Sequence, residues 1–177
     1  MTWTLAITNQ KGGVGKTTTA VNLSAVLQSL GRRVLLIDMD PQGNATVSSG
    51  LEKGGIEPTV AQALVDETPA ADIRITTHPG GYDILPATID LAGAEFQLVS
   101  RIGREIKLRQ AIEPIAADYD FVLIDCPPAL NTLTINSLVA ADDVLIPVQC
   151  EYFALEGLSA LLDTIEQVRV ALNPQLG

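Results

Sequence analysis

The chain has 177 residues, of which 47% are hydrophobic and 18% charged, and it carries a net charge of -10. Such a composition excludes a disordered or fibrous chain, and the length suffices for one domain with a sizeable core. The acidity argues against a nucleic-acid surface in this stretch, because neutralising phosphates needs clustered Lys and Arg.

The first predicted element is a strand at "LAIT" (5–8), followed by the loop and helix start "TNQKGGVGKTTTAVNL" (8–23). Ala20, Leu23, Val26, Leu27 and Leu30 recur at helical spacing, and Gly31 supplies a stop. "VLLID" (34–38) is a second strand. "GLEKGGIEP" (50–58) reads as a loop, and "HPGG" (78–81) as a turn between short strands at 73–77 and 82–86. The basic run "RIGREIKLR" (101–109), with Ile102, Ile106 and Leu108 interleaved, predicts the wet face of an amphipathic helix rather than a DNA contact. "FVLID" (121–125) and "VLIPV" (144–148) complete the set of near-continuous apolar runs, the pattern of strands buried on both faces of a parallel sheet. A last helix places Leu158, Leu161, Leu162, Ile165, Val168 and Leu172 on one face before "NP" ends it.

Alternating strands and helices predict a three-layer α/β fold with a mostly parallel sheet, organised as a single domain over 1–177. Because "LNPQLG" resembles the loop before a further strand, the last strands of the sheet are expected to be missing and the domain C-terminally truncated. No basic-then-apolar leader and no apolar run of about 20 residues is present, so a soluble, cytoplasmic protein without a membrane association is expected. Two cysteines, Cys126 and Cys150, fit reduced thiols better than a disulfide framework.

"GGVGKT" (12–17) lies between a strand and a helix, the context a phosphate-binding loop requires. Gly12, Gly13 and Gly15, with Val14 between them, let backbone N–H groups approach phosphate oxygens, and the helix N-terminus that Thr18 continues adds partial positive charge. Lys16 is placed to lie along the β- and γ-phosphates, and the Thr17 hydroxyl to bind Mg²⁺. Position 10, where the common form of this loop has its first glycine, holds Gln10, and Lys11 follows. A second lysine has two readings: a solvated side chain, or a charge supplied in trans to the nucleotide of a second copy. Spacing does not separate them.

Ligands of open α/β sheets lie outside the carboxyl ends of the strands, and three acids stand at such ends. Asp125 closes "FVLID" and reads as a Mg²⁺ carboxylate. Asp38 and Asp40 flank Met39 and share a side while the chain stays extended. One of these acids could instead cap a neighbouring loop, and for Asp38 that reading is as strong as a metal role. "QCEYFALEGL" (149–158) offers polar residues that could line the same crevice.

Three segments carry a resemblance: "KGGVGKTT", "DMDPQGNAT" (38–46) and "DCPPALNTLTINSL" (125–138). Together they closely resemble the ParA/Soj branch of the ParA/MinD ATPases, over about residues 4 to 172. The resemblance implies a P-loop NTPase fold and an ATP-dependent dimerisation switch that hydrolyses ATP to ADP with Mg²⁺ and partitions chromosomes or plasmids. It implies that Lys11 contacts ATP across the dimer, that Asp40 positions the attacking water and that Asp38 supports the metal shell. The partners it implies are a second copy, a ParB-type centromere-binding protein, and nucleoid DNA bound non-specifically through residues beyond this chain. Two relatives of the same loop are alternatives: a MinD-like membrane-cycling ATPase, and a redox protein like the nitrogenase iron protein with Cys126 as a cluster ligand. "DPQGNAT" favours the partitioning branch.

Overall fold

The computed structural model describes residues 2–150 and 158–177. Its described residues form one six-stranded sheet whose strands are β1 (Trp3–Ile7), β2 (Val34–Asp38), β3 (Ile75–Thr76), β4 (Asp83–Leu85), β5 (Phe121–Asp125) and β6 (Asp143–Leu145). The spatial order is β3-β4-β2-β5-β1-β6, all parallel except the β3–β4 hairpin. The helices are α1 (Lys16–Ser29), α2 (Asn44–Ser48), α3 (Val60–Val65), α4 (Ala70–Ile73), α5 (Asp90–Leu98), α6 (Lys107–Ala116), α7 (Thr132–Ala140) and α8 (Leu158–Ala171).

The central strands are apolar throughout because both faces are covered. Leu5, Ile7, Leu36 and Leu123 pack towards α1 in one cluster, while Ala6, Leu35, Ile37, Val122 and Ile124 face the larger core shared with α3, α5, α6 and α7. This is the mostly parallel, helix-flanked sheet of a P-loop fold. Parallel register sets Ile7 and Asp38 each opposite Asp125, so the carboxyl ends of β1, β2 and β5 finish level. Everything the site needs hangs from that common edge.

Several expectations are corrected in detail. The strand expected at 144–148 stops at Leu145, because Pro147 has no N–H for the ladder. The strand expected from 73 starts at Ile75, since Ile73 closes α4. Along α1, Ala20 is buried and Leu23 and Leu27 pack against the core as expected, but Val26 and Leu30 face solvent, and the buried seam also takes in Ser24, whose hydroxyl donates to the Ala20 carbonyl at 2.8 Å. In α8, Leu161 and Val168 are buried, but Leu162 and Leu172 are exposed.

The run 101–109 is not one helix. Gly103, at φ 69°, turns the chain into a short 3-10 turn at Arg104–Ile106 before α6 begins. Arg101 donates to the Val65 carbonyl, Arg104 to the Val99 carbonyl and to Glu105 at 3.0 Å, and Lys107 pairs with Glu67 at 2.9 Å. Most of its cations are therefore used within the chain. No helix among the described residues is long and apolar enough to cross a membrane.

Candidate nucleotide-binding site

The end of β1 runs into a loop that turns back on α1. Gly13 and Gly15 sit at φ 75° and 93°, where side chains bearing a Cβ are strained, so the turn requires glycine at both. Gly12 has no such φ, and no protein atom lies within 4 Å of where its Cβ would stand. Neither conformation nor packing within the chain explains Gly12. Open space over the backbone does.

Gly15 caps α1 without any side-chain bond, and the first turn contains no acidic residue. The free N–H groups of that turn, with the helix dipole behind them, make an anion site. Lys16 is only 7% exposed, and its Nζ donates to the Lys11 carbonyl at 3.3 Å, bending back over its own loop. Burial lowers its pKa, against the opposing pull of Asp125 and Asp40. The Lys11 N–H in turn donates to Asn9 Oδ1 at 3.0 Å, while Asn9 Nδ2 donates to the Pro147 carbonyl at 2.8 Å. Gln149 Nε2 reaches the Gly13 carbonyl at 3.1 Å. Thus the segment after β6 braces the phosphate loop at both ends. Of the polar stretch 149–158, residues 151–157 lie outside the described residues.

Asp125 is 1% exposed. Its Oδ2 accepts from the Thr17 hydroxyl at 2.7 Å, while Oδ1 is buried with no hydrogen-bond partner. Burial pushes this carboxyl up to about 7, and the neighbouring charges of Asp38 and Asp40 push the same way. A buried, half-satisfied carboxylate beside a hydroxyl is a set of hard oxygen donors suited to a divalent cation. No group of three or more acidic, His or Cys side chains able to hold a metal exists among the described residues. One carboxylate and one hydroxyl are the kind of sparse oxygen donor set that suits Mg²⁺, which keeps waters and substrate phosphates as its remaining ligands.

Asp38 and Asp40 are used differently. Asp38 is fully buried; its Oδ1 accepts from the Asp40 N–H at 3.1 Å, and its Oδ2 from the Thr46 N–H at 2.8 Å and the Thr46 hydroxyl at 2.7 Å. Burial still raises its pKa to about 6. The Thr46 hydroxyl also accepts from the Ala87 N–H at 2.9 Å, tying this loop to the end of β4. Asp40 instead lines a cleft of about 520 Å³ together with Gly12, Lys16, Thr17, Gln42 and Pro128. Its Oδ1 accepts from the Gln42 N–H at 2.9 Å. Thr46 and Asn9 escaped sequence reasoning, whereas Gln149 belongs to the polar stretch 149–158 expected at the crevice. Thr46 had a signal, as the closing residue of "DPQGNAT".

Cys126 is buried, and that burial pushes its thiol up to about 12; its Sγ lies 3.8 Å from the Ile124 carbonyl. Cys150 is exposed. A glycine loop between β1 and α1, an uncapped helix N-terminus, and a strand-end acid bonded to the first-turn threonine define a P-loop nucleotide-binding domain. A protein-family model for the AAA domain matches residues 2–177. The sporulation initiation inhibitor protein Soj of Bacillus subtilis is 56% identical over 172 residues, covering 97% of this chain and 68% of that protein. Chromosome partitioning protein ParA of Myxococcus xanthus is 54% identical, again over 97% of this chain and over 61% of its own length. The chain belongs to the ParA/Soj family. A crystal structure of cobyrinic acid a,c-diamide synthase from Mycobacterium smegmatis with an ATP analog and magnesium bound superimposes with a TM-score of 0.96 at 45% identity. That match covers 99% of this chain and 72% of the other.

Proposed function

We propose that this chain is the ATP-binding and hydrolysing domain of a partitioning ATPase, a nucleotide-controlled dimerisation switch of the nucleoid-associated cytoplasmic kind. The observation that carries the reading is the buried, unpartnered Asp125 Oδ1 beside Thr17, at the foot of an uncapped glycine loop. Thr17 and Asp125 would hold a Mg²⁺, which would offset charge on the nucleotide phosphates. Backbone N–H groups from Gly12 to Thr18 would bind the phosphates, with Lys16 released from the Lys11 carbonyl to lie along them. Asp40, on the open side of the cleft, would orient a water for in-line attack on the γ-phosphorus, releasing ADP and phosphate. Asp38, with its oxygens already committed, would act by ordering the 38–46 loop rather than by ligating metal directly.

Lys11 would serve the nucleotide of a second copy, which makes turnover conditional on dimerisation. A ParB-type partner and non-specific DNA follow from the relatives' role in chromosome partitioning. The name of the Mycobacterium structure describes a different use of ATP; the higher identities to Soj and ParA favour partitioning. A redox reading is disfavoured by Cys126, whose thiol is buried and held far above neutrality.

Calorimetry with ATP, with and without Mg²⁺, tests the binding half. The dimer half is tested by Lys11→Ala, expected to bind ATP as the parent does but to lose ATP-dependent dimerisation in light scattering. A Lys11→Ala protein that dimerises normally would return Lys11 to the status of a surface cation, and ATP binding indifferent to Mg²⁺ would remove the carrying observation.

A further inference from the structure

β6 ends at Leu145, ahead of Pro147, and its pairing with the β1 side finishes with the Thr8 N–H on the Leu145 carbonyl at 3.1 Å. One residue further on, the buried side chain of Asn9 takes over. Its Nδ2 donates to the Pro147 carbonyl at 2.8 Å, and its Oδ1 accepts from the Lys11 N–H at 3.0 Å. A carbonyl only accepts and a backbone N–H only donates, so these two partners fix which way the amide faces. Asparagine is used for both of its functions at once.

The bond to Lys11 reaches two residues along the chain, a turn closed by a side chain in place of a backbone carbonyl. Gln10, at the centre of that turn, is not in the left-handed region, so no glycine is needed there. The Lys11 backbone is thereby held on two sides: Asn9 takes its N–H, and Lys16 Nζ donates to its carbonyl at 3.3 Å. In the function proposed for this chain, Lys16 leaves for the phosphates when nucleotide arrives. Of the two bonds, the one from Asn9 then remains. Beyond Lys11 stands Gly12, with no atom within 4 Å of where its Cβ would stand, so no neighbour steadies the chain on that side.

We propose that Asn9 is a positioning residue for Lys11: it anchors the Lys11 N–H to the segment after β6 and so sets the direction in which the Lys11 side chain leaves the loop. This rests on the reading of Lys11 as a cation supplied to the nucleotide of a second copy. Asn9 itself meets no phosphate, because the N–H groups that would bind them begin at Gly12. Its effect is preorganisation. A Lys11 backbone fixed in advance need not be ordered when the second copy arrives, whereas freeing one residue's backbone weakens an association by about tenfold.

Four proteins separate this role from a brace of the fold: the parent, Asn9→Ser, Asn9→Ala and Lys11→Ala. Serine can close the same turn on the Lys11 N–H but has no donor that reaches Pro147; alanine makes neither bond. Light scattering with Mg²⁺ and a slowly hydrolysed ATP analogue measures dimerisation, and calorimetry with ADP measures nucleotide affinity. Asn9→Ala should dimerise about tenfold more weakly than the parent and Asn9→Ser within about threefold of it, while both bind ADP within about twofold of the parent. In hydrogen exchange of the ADP-bound chain, the Lys11 amide should be protected in the parent and in Asn9→Ser and exchange freely in Asn9→Ala. If Asn9→Ser fails together with Asn9→Ala, the bond to Pro147 is the one that matters and the proposal is overturned. An Asn9→Ala protein that dimerises like the parent overturns it too, as does a Lys11 amide left unprotected in the parent. An ADP affinity in Asn9→Ala as low as in Lys16→Ala would move Asn9 into the phosphate site, against the proposal. Normal dimerisation by Lys11→Ala would remove the trans reading and this inference with it; loss there without loss in Asn9→Ala removes the inference alone.

Discussion

Replacing Asp125 by Asn keeps the shape of the side chain and removes its charge. In the fold this carboxyl rises from 3.8 to about 7, with burial the largest cause. Ionising it there costs ~4 kcal/mol relative to the unfolded chain. Between those two values the folded chain holds a proton that the unfolded chain has lost, so stability falls as pH rises through the window. The variant escapes that penalty but places an amide where Oδ1 now has no partner, at ~1–3 kcal/mol. At about pH 8 the balance favours Asp125→Asn by ~1–3 kcal/mol. At about pH 5 only ~2 kcal/mol of the penalty has developed in the parent, and the two proteins should be nearly equal. A gain of ~2 kcal/mol corresponds to ~4–8 °C for a domain of this size. Thermal melts followed by circular dichroism at both pH values read the difference. Calorimetry should meanwhile show that ATP binding by the variant no longer responds to Mg²⁺. A variant that melts below the parent at the higher pH, or differs from it equally at both, would refute the account of Asp125 as a buried acid held ready for a cation.

Lys16→Ala should weaken ATP binding ~10- to 150-fold, the loss expected for a charge-assisted phosphate contact, and titration calorimetry measures it. Thr46→Val should lower stability by ~1–3 kcal/mol in urea unfolding, because it strips a donor from Asp38 and leaves the buried Ala87 N–H unpaired. Asp40→Ala should bind ATP but release no phosphate in single turnover; hydrolysis at the parent rate would dismiss Asp40 as the group orienting the water.

The sheet was legible because its central strands are buried on both faces, and β2 and β5 fall within the bounds their apolar runs suggest. Helical periodicity was less faithful. Around α1 the hydrophobic spacing picked out Ala20, Leu23 and Leu27, which pack on the core, but also Val26 and Leu30, which face solvent, and it passed over Ser24, buried on the seam beside Ala20. A small polar residue carries no hydrophobic signal, so a pattern count overlooks it even where it packs. The run 101–109 misled for another reason. Arg101 satisfies the Val65 carbonyl, far along the chain, and such a pairing leaves no trace in local spacing.

At the site, the phosphate loop and Asp125 were readable because residue type and place in the fold decide their environment: a strand-end acid next to the threonine that starts a helix can hardly avoid burial. The two acids after β2 were not separable in that way. Both leave the same strand on the same side, and alternation treats them alike. What divides them is Thr46, eight residues on, which returns through α2 to give Asp38 an N–H and a hydroxyl. Once those donors are in place, Asp38 anchors its own loop and accepts a further bond from the Asp40 N–H, which fixes where Asp40 faces the cleft. The acid that lines the cleft is thus positioned by the one that does not. The burial that pushes Asp38 up to about 6 falls on a carboxyl whose task is to hold three donors still. Because that value lies above the usual 3.8, the folded chain takes up a proton before the unfolded chain does, so the 38–46 loop should stay ordered, and its Thr46 amide protected from hydrogen exchange, as pH falls from about 6 towards 3.8.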